Sequence, residues 1–232
     1  ASGQDITLDE AASTFGTLAL TGANVAVTDA GATDLGASTV SGTLGITSAG
    51  AVTDSGTLAI TGATTISASG QDITLDEAAS TFGTLALTGA NVAVTDAGAT
   101  DLGASTVSGT LNVTSAGAVT DSGTLAITGA TTISASGQDI TLDEAASTFG
   151  TLALTGANVA VTDAGATDLG ASTVSGTLGI TSAGAVTDSG TLAITGATTI
   201  SASGQDITLD EAASTFGTLA LTGANVAVTD AG

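Results

Sequence analysis

The sequence predicts an all-β fold, a right-handed parallel β-helix (β-solenoid) with three coils per 67-residue repeat. Three observations predict it. The stretch ASGQDITLDE opens the chain at Ala1 and returns at Ala68, Ala135 and Ala202. Inside each repeat a shorter phrase recurs, as GTLALTG at Gly16, GTLGITS at Gly42 and GTLAITG at Gly56. In these phrases apolar residues alternate at period two with Thr, Gly and Ala, the spacing of a strand with one buried face.

Residues 1–67, 68–134 and 135–201 are three full repeats, and 202–232 begins a fourth, all in one continuous solenoid. The full copies differ where Gly45 and Ile46 become Asn112 and Val113, then revert to Gly179 and Ile180. Each repeat divides into three sub-units, Asn24 to Gly42, Thr43 to Gly62, and a longer one from Ala63 to Gly89. Each sub-unit reads as three short strands separated by Gly, Ala, Ser or Asp. Leu44 and Ile46 face inward, as do Val25 and Val27, Leu58 and Ile60, Ile73 and Leu75, and Leu85 and Leu87. The copy differences fit this register: Ile46 to Val113 is conservative and inward, Gly45 to Asn112 polar and outward. No segment sustains a helical period, and Gly, Thr, Ser and Val dominate.

Stacking follows from energetics. Fixing the backbone of a coil of about 20 residues costs roughly 20–40 kcal/mol. Its inward side chains, about five, return only about 1.5–3 kcal/mol each. Coils that floor one another bury both faces and pair their backbones above and below. A β-sandwich also suits short alternating strands, but not a repeat copied almost letter for letter. The expectation is about ten coils in a rod roughly 50 Å long. Ala1 and Gly232 both fall inside a repeat, so the chain reads as a window on a longer fibre.

Composition narrows function. There are 22 acidic residues and no Lys, Arg or His, for a formal charge of −22. Nothing can neutralise phosphates, which excludes nucleic acid as a partner. Insertion into a membrane is not expected, because no apolar run approaches the roughly 20 residues a bilayer needs. Cations are the natural counter-partners of such a surface. Without His, Cys or Lys, nucleophilic catalysis lacks its usual base and nucleophile, so no catalytic residue is assigned and the chain is expected not to be an enzyme.

Two sets of candidate site residues remain. If Val52 and Leu75 are equivalent, Asp54 sits beside Glu77 in the next coil, and Asp121 beside Glu144. Like charges at such a spacing repel unless bridged, and Ca²⁺ prefers several carboxylate and carbonyl oxygens. Asp54, Glu77, Asp121 and Glu144 are therefore candidate cation-bridging residues, with Ca²⁺ the one cofactor considered. Solvated surface charge is the plainer reading of the same residues. The excursion DEAASTF lengthens the third sub-unit and is expected to protrude on one side about every 14 Å. Asp9, Glu10, Phe15, Asp76, Glu77, Phe82, Asp143, Glu144 and Phe149 are the candidate lateral-contact residues, with packing of each phenylalanine over its own coil as the plainer reading.

The string ITLDEAASTFGTLALTGANVAVTDAGATDLGASTVSGTLNVTSAGAVTDSGTLAITGATTI, from Ile73 to Ile133, resembles the repeats of large filamentous-haemagglutinin-like exoproteins. The resemblance implies a right-handed β-helix, export to the cell surface, and a role in adhesion or matrix. The function expected is that of a structural segment of a long extracellular or cell-surface fibre: a spacer, stalk or filament. Two alternatives stand beside it, an adhesin stalk with a binding domain outside this window, and a matrix filament that assembles laterally with Ca²⁺. Expected partners are like fibres or further repeats of the same chain, and divalent cations.

Overall fold

Runs such as VAVTD and LGITS place an apolar residue at every second position and end on residues that favour turns. They form strands at Val25–Asp29 and Leu44–Ser48, in which Val25, Val27, Leu44 and Ile46 are buried and Ala26, Thr28 and Thr47 face outward. The structure, a computed structural model, describes residues 3–231. Within them the fold is all-β, with parallel strands stacked as a solenoid.

The stacking follows two long ladders. One runs from Ile6 to Val25, Leu44, Thr64, Leu85 and Leu102, then through Val119, beside Thr100, to Ile140. It continues through Val159, Leu178 and Thr198 to Leu219, so the ladder holds twelve coils rather than the expected ten. At about 4.8 Å a step the rod is still about 50 Å long. The other ladder passes through Val52, Ile73, Val92, Leu111, Thr131 and Leu152. Every coil visits both ladders in turn. On one it lays a single strand, such as Leu111–Ser115; on the other it lays two short ones, such as Val119–Asp121 and Leu125–Ile127. These are the three strands per coil that the sub-units predict.

Each repeat contains its three coils and a half turn more. Ile6 lies on the first ladder, its copy Ile73 on the second, and the next copy Ile140 on the first again. Seven ladder steps separate Ile6 from Ile140, two repeats along. The extra half turn comes from the long third sub-unit, which closes one coil and starts the next. Successive repeats therefore face opposite sides of the rod.

The strand Thr84–Gly89 makes the changeover. Below, it pairs with the single strand Thr64–Ser67, Leu85 over Thr64 and Leu87 over Ile66. Above, it supports two strands at once, Leu102 on Leu85 and Val107 on Gly89. Coil length adjusts around it, from 21 residues between Thr64 and Leu85 to 17 between Leu85 and Leu102.

The recurring ASGQD is a corner. Gln71 N donates to Ala68 O at 2.9 Å, as do its copies Gln138 and Gln205 to theirs, and Gly70 between them has φ +74°. That is the position of a type II turn where a side chain is strained. A second corner stacks glycine on glycine: a Cβ added to Gly129 would lie 2.5 Å from Gly109 O.

The interior is one continuous cluster of Leu, Ile and Val. The copy differences lie where the pattern puts them, Asn112 exposed and Val113 2% exposed. One inward position is out of character. Thr64, Thr131 and Thr198 are fully buried in the leucine column, and their hydroxyls have no partner.

Two substitutions of opposite sign test this packing. Thr131→Val removes an unsatisfied buried hydroxyl at nearly constant shape and is expected to stabilise by about 1 kcal/mol. Gly129→Ala forces a methyl against the carbonyl below and is expected to cost about 3 kcal/mol. Urea midpoints of the two variants against the parent check both.

Candidate functional site

Six acidic residues recur in each full repeat, and the fold treats them in different ways. The excursion that carries Asp76 and Glu77 is pinned rather than free. Asp76 N donates to Asp54 Oδ1 at 2.9 Å, and Glu77 N lies 3.4 Å from Oδ2. Asp121 receives Asp143 N at 2.8 Å and Glu144 N at 3.4 Å in the same way. At the far end Leu58 N donates to Ser80 Oγ at 2.9 Å, and Ala97 N to Ser80 O at 2.8 Å. Thr81 then bridges to Ala59, and the chain rejoins the stack.

This geometry replaces the register behind the candidate cation bridge. Val52 pairs with Ile73, two residues away from the Leu75 register that the side-by-side carboxylates require. Asp54 does lie beneath Glu77, and Asp121 beneath Glu144, but their oxygens face the backbone amides of that turn. No group of three or more acidic side chains converges among the described residues. Burial raises the carboxyls of Asp54 and Asp121; the amide donors oppose this, and the charges of the neighbouring aspartate and glutamate add to it.

The candidate lateral set divides. Asp9, Glu10, Asp76 and Asp143 are exposed, and Glu77 and Glu144 are partly so. Phe82 and Phe149 are 7% exposed and belong to the core, and Phe15 packs against it half-buried. A buried phenylalanine contributes about 2–3 kcal/mol, which an outward ring would forfeit. Phe82 and Phe149 therefore pack inward, into the core. Nor do the excursions form one ridge: the half turn puts alternate copies on opposite ladders, Ile6–Leu8 leading into one and Ile73–Leu75 into the next.

Two further aspartates act as outer staples. Asp72 Oδ1 accepts from Asn91 N at 3.1 Å and Asn91 Nδ2 at 2.9 Å, and Asn91 Oδ1 accepts from Thr110 N at 3.1 Å. Three coils are joined at one corner in this way. Asp101 accepts from Thr84 Oγ1 below and Ser122 Oγ above, both at 2.8 Å. In the first copy the same hydroxyls, on Thr17 and Ser55, hold the Asp34 carboxyl below its ordinary range.

Sequence reasoning missed a third kind. Asp29, Asp96 and Asp163 are 1% exposed. The signal was available: in VAVTD the aspartate occupies the third inward position after two valines. Asp96 Oδ1 accepts from Gly98 N at 2.8 Å and Oδ2 from Thr100 Oγ1 at 3.2 Å. Thr100 Oγ1 lies 3.0 Å from Ser115 Oγ on the coil above, which donates to Gly98 O at 3.1 Å. Burial raises the Asp96 and Asp163 carboxyls against the pull of these donors.

One open groove interrupts the outer surface, lined by Thr162, Gly179, Thr181, Thr199 and Ser201 with Asp143 beside them. In the second copy Asn112 stands where Gly179 leaves room.

A family model described as repeats of unknown function (DUF5649) matches residues 22–88, 89–155 and 156–223. The chain belongs to this family. The DUF5649 unit has the period read from the sequence, and its matches abut along most of the chain. No curated protein and no solved structure matches. What the DUF5649 repeat displays chemically is a set of carboxylates spent on its own amides and hydroxyls, joining coil to coil.

Removing one such joint has a local readout. Asp121→Ala leaves two amides without their acceptor and is expected to cost about 1–3 kcal/mol. Amide hydrogen exchange at Asp143 and Glu144 is expected to rise well above that at Asp76 and Glu77, which keep Asp54.

Proposed function

We propose that the chain is a structural segment of a long extracellular or cell-surface fibre, serving as spacer, stalk or filament, and that it is not an enzyme. What carries this reading is the half turn. Each repeat ends on the surface that the next requires as a floor, rotated to the other side. Repeats can be appended without limit, and no side of the rod accumulates one kind of loop. A catalytic module gains nothing from such copying; a length-setting element gains length with each copy.

The placement outside the cell rests on the likeness to filamentous-haemagglutinin-like repeats. A chain without Lys, Arg, Cys or Met suits it, offering no trypsin-type cleavage site and no sulfur to oxidise. The partners in this reading are further repeats of the same chain above and below. Divalent cations are counter-ions to the solvated carboxylates at Asp9, Glu10 and their copies.

Chains of three, six and nine repeats test it. Three and a half steps of about 4.8 Å predict about 17 Å of added length per repeat at constant width. Small-angle scattering or negative-stain images showing this increment support a fibre element. Beads on a flexible string, or a compact particle of growing width, would reject it.

A further inference from the structure

The cluster around Asp96 contains more hydrogen-bond contacts than hydrogens. Three oxygen–oxygen contacts run in series: Asp96 Oδ2 to Thr100 Oγ1 at 3.2 Å, Thr100 Oγ1 to Ser115 Oγ at 3.0 Å, and Ser115 Oγ to Gly98 O at 3.1 Å. With Asp96 ionised, the two hydroxyls supply only two hydrogens for these contacts. One of the three contacts is then left without a hydrogen of its own. A proton on Oδ2 completes the chain: Asp96 donates to Thr100, Thr100 to Ser115, and Ser115 to Gly98 O. Asp96 Oδ1 remains free to accept from Gly98 N at 2.8 Å.

The same chain is built in every full copy. Asp29, Thr33, Ser48 and Gly31 O are spaced at 3.2, 3.0 and 2.9 Å. Asp163, Thr167, Ser182 and Gly165 O are spaced at 3.1, 2.9 and 3.1 Å. Ser182 Oγ also lies 3.1 Å from Gly184 O, a further acceptor for the same hydrogen. In each case the third residue comes from the next coil, so the chain of hydroxyls crosses the joint between coils.

No cation competes with the proton. The charged groups on the elements packed around Asp96 are all carboxylates: Asp101 on the following strand, Asp76 and Glu77 on the excursion below, and Asp121 on the coil above. The chain has no Lys, Arg or His to stabilise an ionised aspartate at 1% exposure.

We propose that Asp96 and Asp163 are built-in proton-binding sites, and that filling them tightens the rod in mildly acidic surroundings. The direction follows from linkage. Unfolded aspartate titrates near about 3.9. A folded carboxyl that holds its proton to higher pH makes the native state the better proton binder between the two values. Stability then grows as pH falls from neutral through the folded titration and levels off below the unfolded one. Burial raises Asp96, Asp163, Asp54 and Asp121 alike. Asp34 works the other way: its hydroxyl donors lower it, so its contribution is lost in stronger acid. Stability is therefore expected to peak near about pH 4 and decline below it.

Urea unfolding of the whole chain from about pH 7 to about pH 4, in about 1 M sodium chloride, tests the proposal. At that salt the Debye length is about 3 Å, so general repulsion among surface carboxylates is screened and buried sites are not. The folded-to-unfolded ratio is expected to rise severalfold on acidification, because each carboxyl that holds its proton to higher pH in the folded state adds to the ratio. Carbon-13 titration of the aspartate carboxyls should show Asp96 and Asp163 protonating above the unfolded value of about 3.9. Ser115→Ala and Ser182→Ala together delete the contact that lacks a hydrogen and are expected to move those titrations down. Glu10→Gln is expected to leave them unchanged. A ratio that is flat or falls on acidification in high salt overturns the proposal, as does titration of Asp96 and Asp163 at or below about 3.9. Both readouts on the parent chain decide the question even if the serine variants fold poorly.

Discussion

Every coil of this chain depends on another coil for its hydrogen bonds and for its buried face. Val92–Asp96 has Ile73–Leu75 beneath it and Leu111–Ser115 above, and its own residues offer no other partner for its amides and carbonyls. A coil with so few inward side chains cannot offset its backbone entropy alone. The interior is correspondingly narrow, filled by Leu, Ile and Val in columns, with a phenylalanine closing each excursion. Where the column admits a threonine, as at Thr131 between Leu111 and Leu152, the hydroxyl is stranded.

A chain with no cationic side chain must hold its carboxylates by other means. Backbone amides at a turn, paired hydroxyls and asparagine amides take the place of ion pairs. Asp121 caps a turn in the next coil, Asp72 begins a three-coil staple, and Asp101 ties a threonine below to a serine above. These bonds join coils that are 17 to 23 residues apart in sequence, so they act across the joints on which the stack depends. They are also blind to salt in a way that surface ion pairs are not, because the donors are neutral and fixed.

Much of this was legible in the residues. The alternation in LGITS and VAVTD placed Leu44, Ile46, Val25 and Val27 on their correct face, and the exchange of Gly45 for Asn112 and Ile46 for Val113 agreed with it. The fate of the excursion was harder to read. The sequence shows a charged, small-residue insertion; it does not show that Asp54 and Ser80 clamp both its ends, or that Phe82 turns inward to fill the coil. The buried Asp96 was overlooked because aspartate next to alanine and glycine signals a turn. Its parity along the strand, two residues beyond Val94, carried the opposite message.

The sequence by itself determined the strands, their facing and the fact that coils stack, because period-two alternation and exact repetition are local properties that survive in any register. Only the tertiary structure decided how the repeat fits the coil. Whether 67 residues wind three turns or three and a half depends on the lengths of sides that must close over one another, such as Thr84–Gly89 over Thr64–Ser67 and under Ser105–Val107. That closure is a condition on residues far apart in the chain. It sets which side of the rod each excursion occupies, and which serine from the coil above meets each buried aspartate.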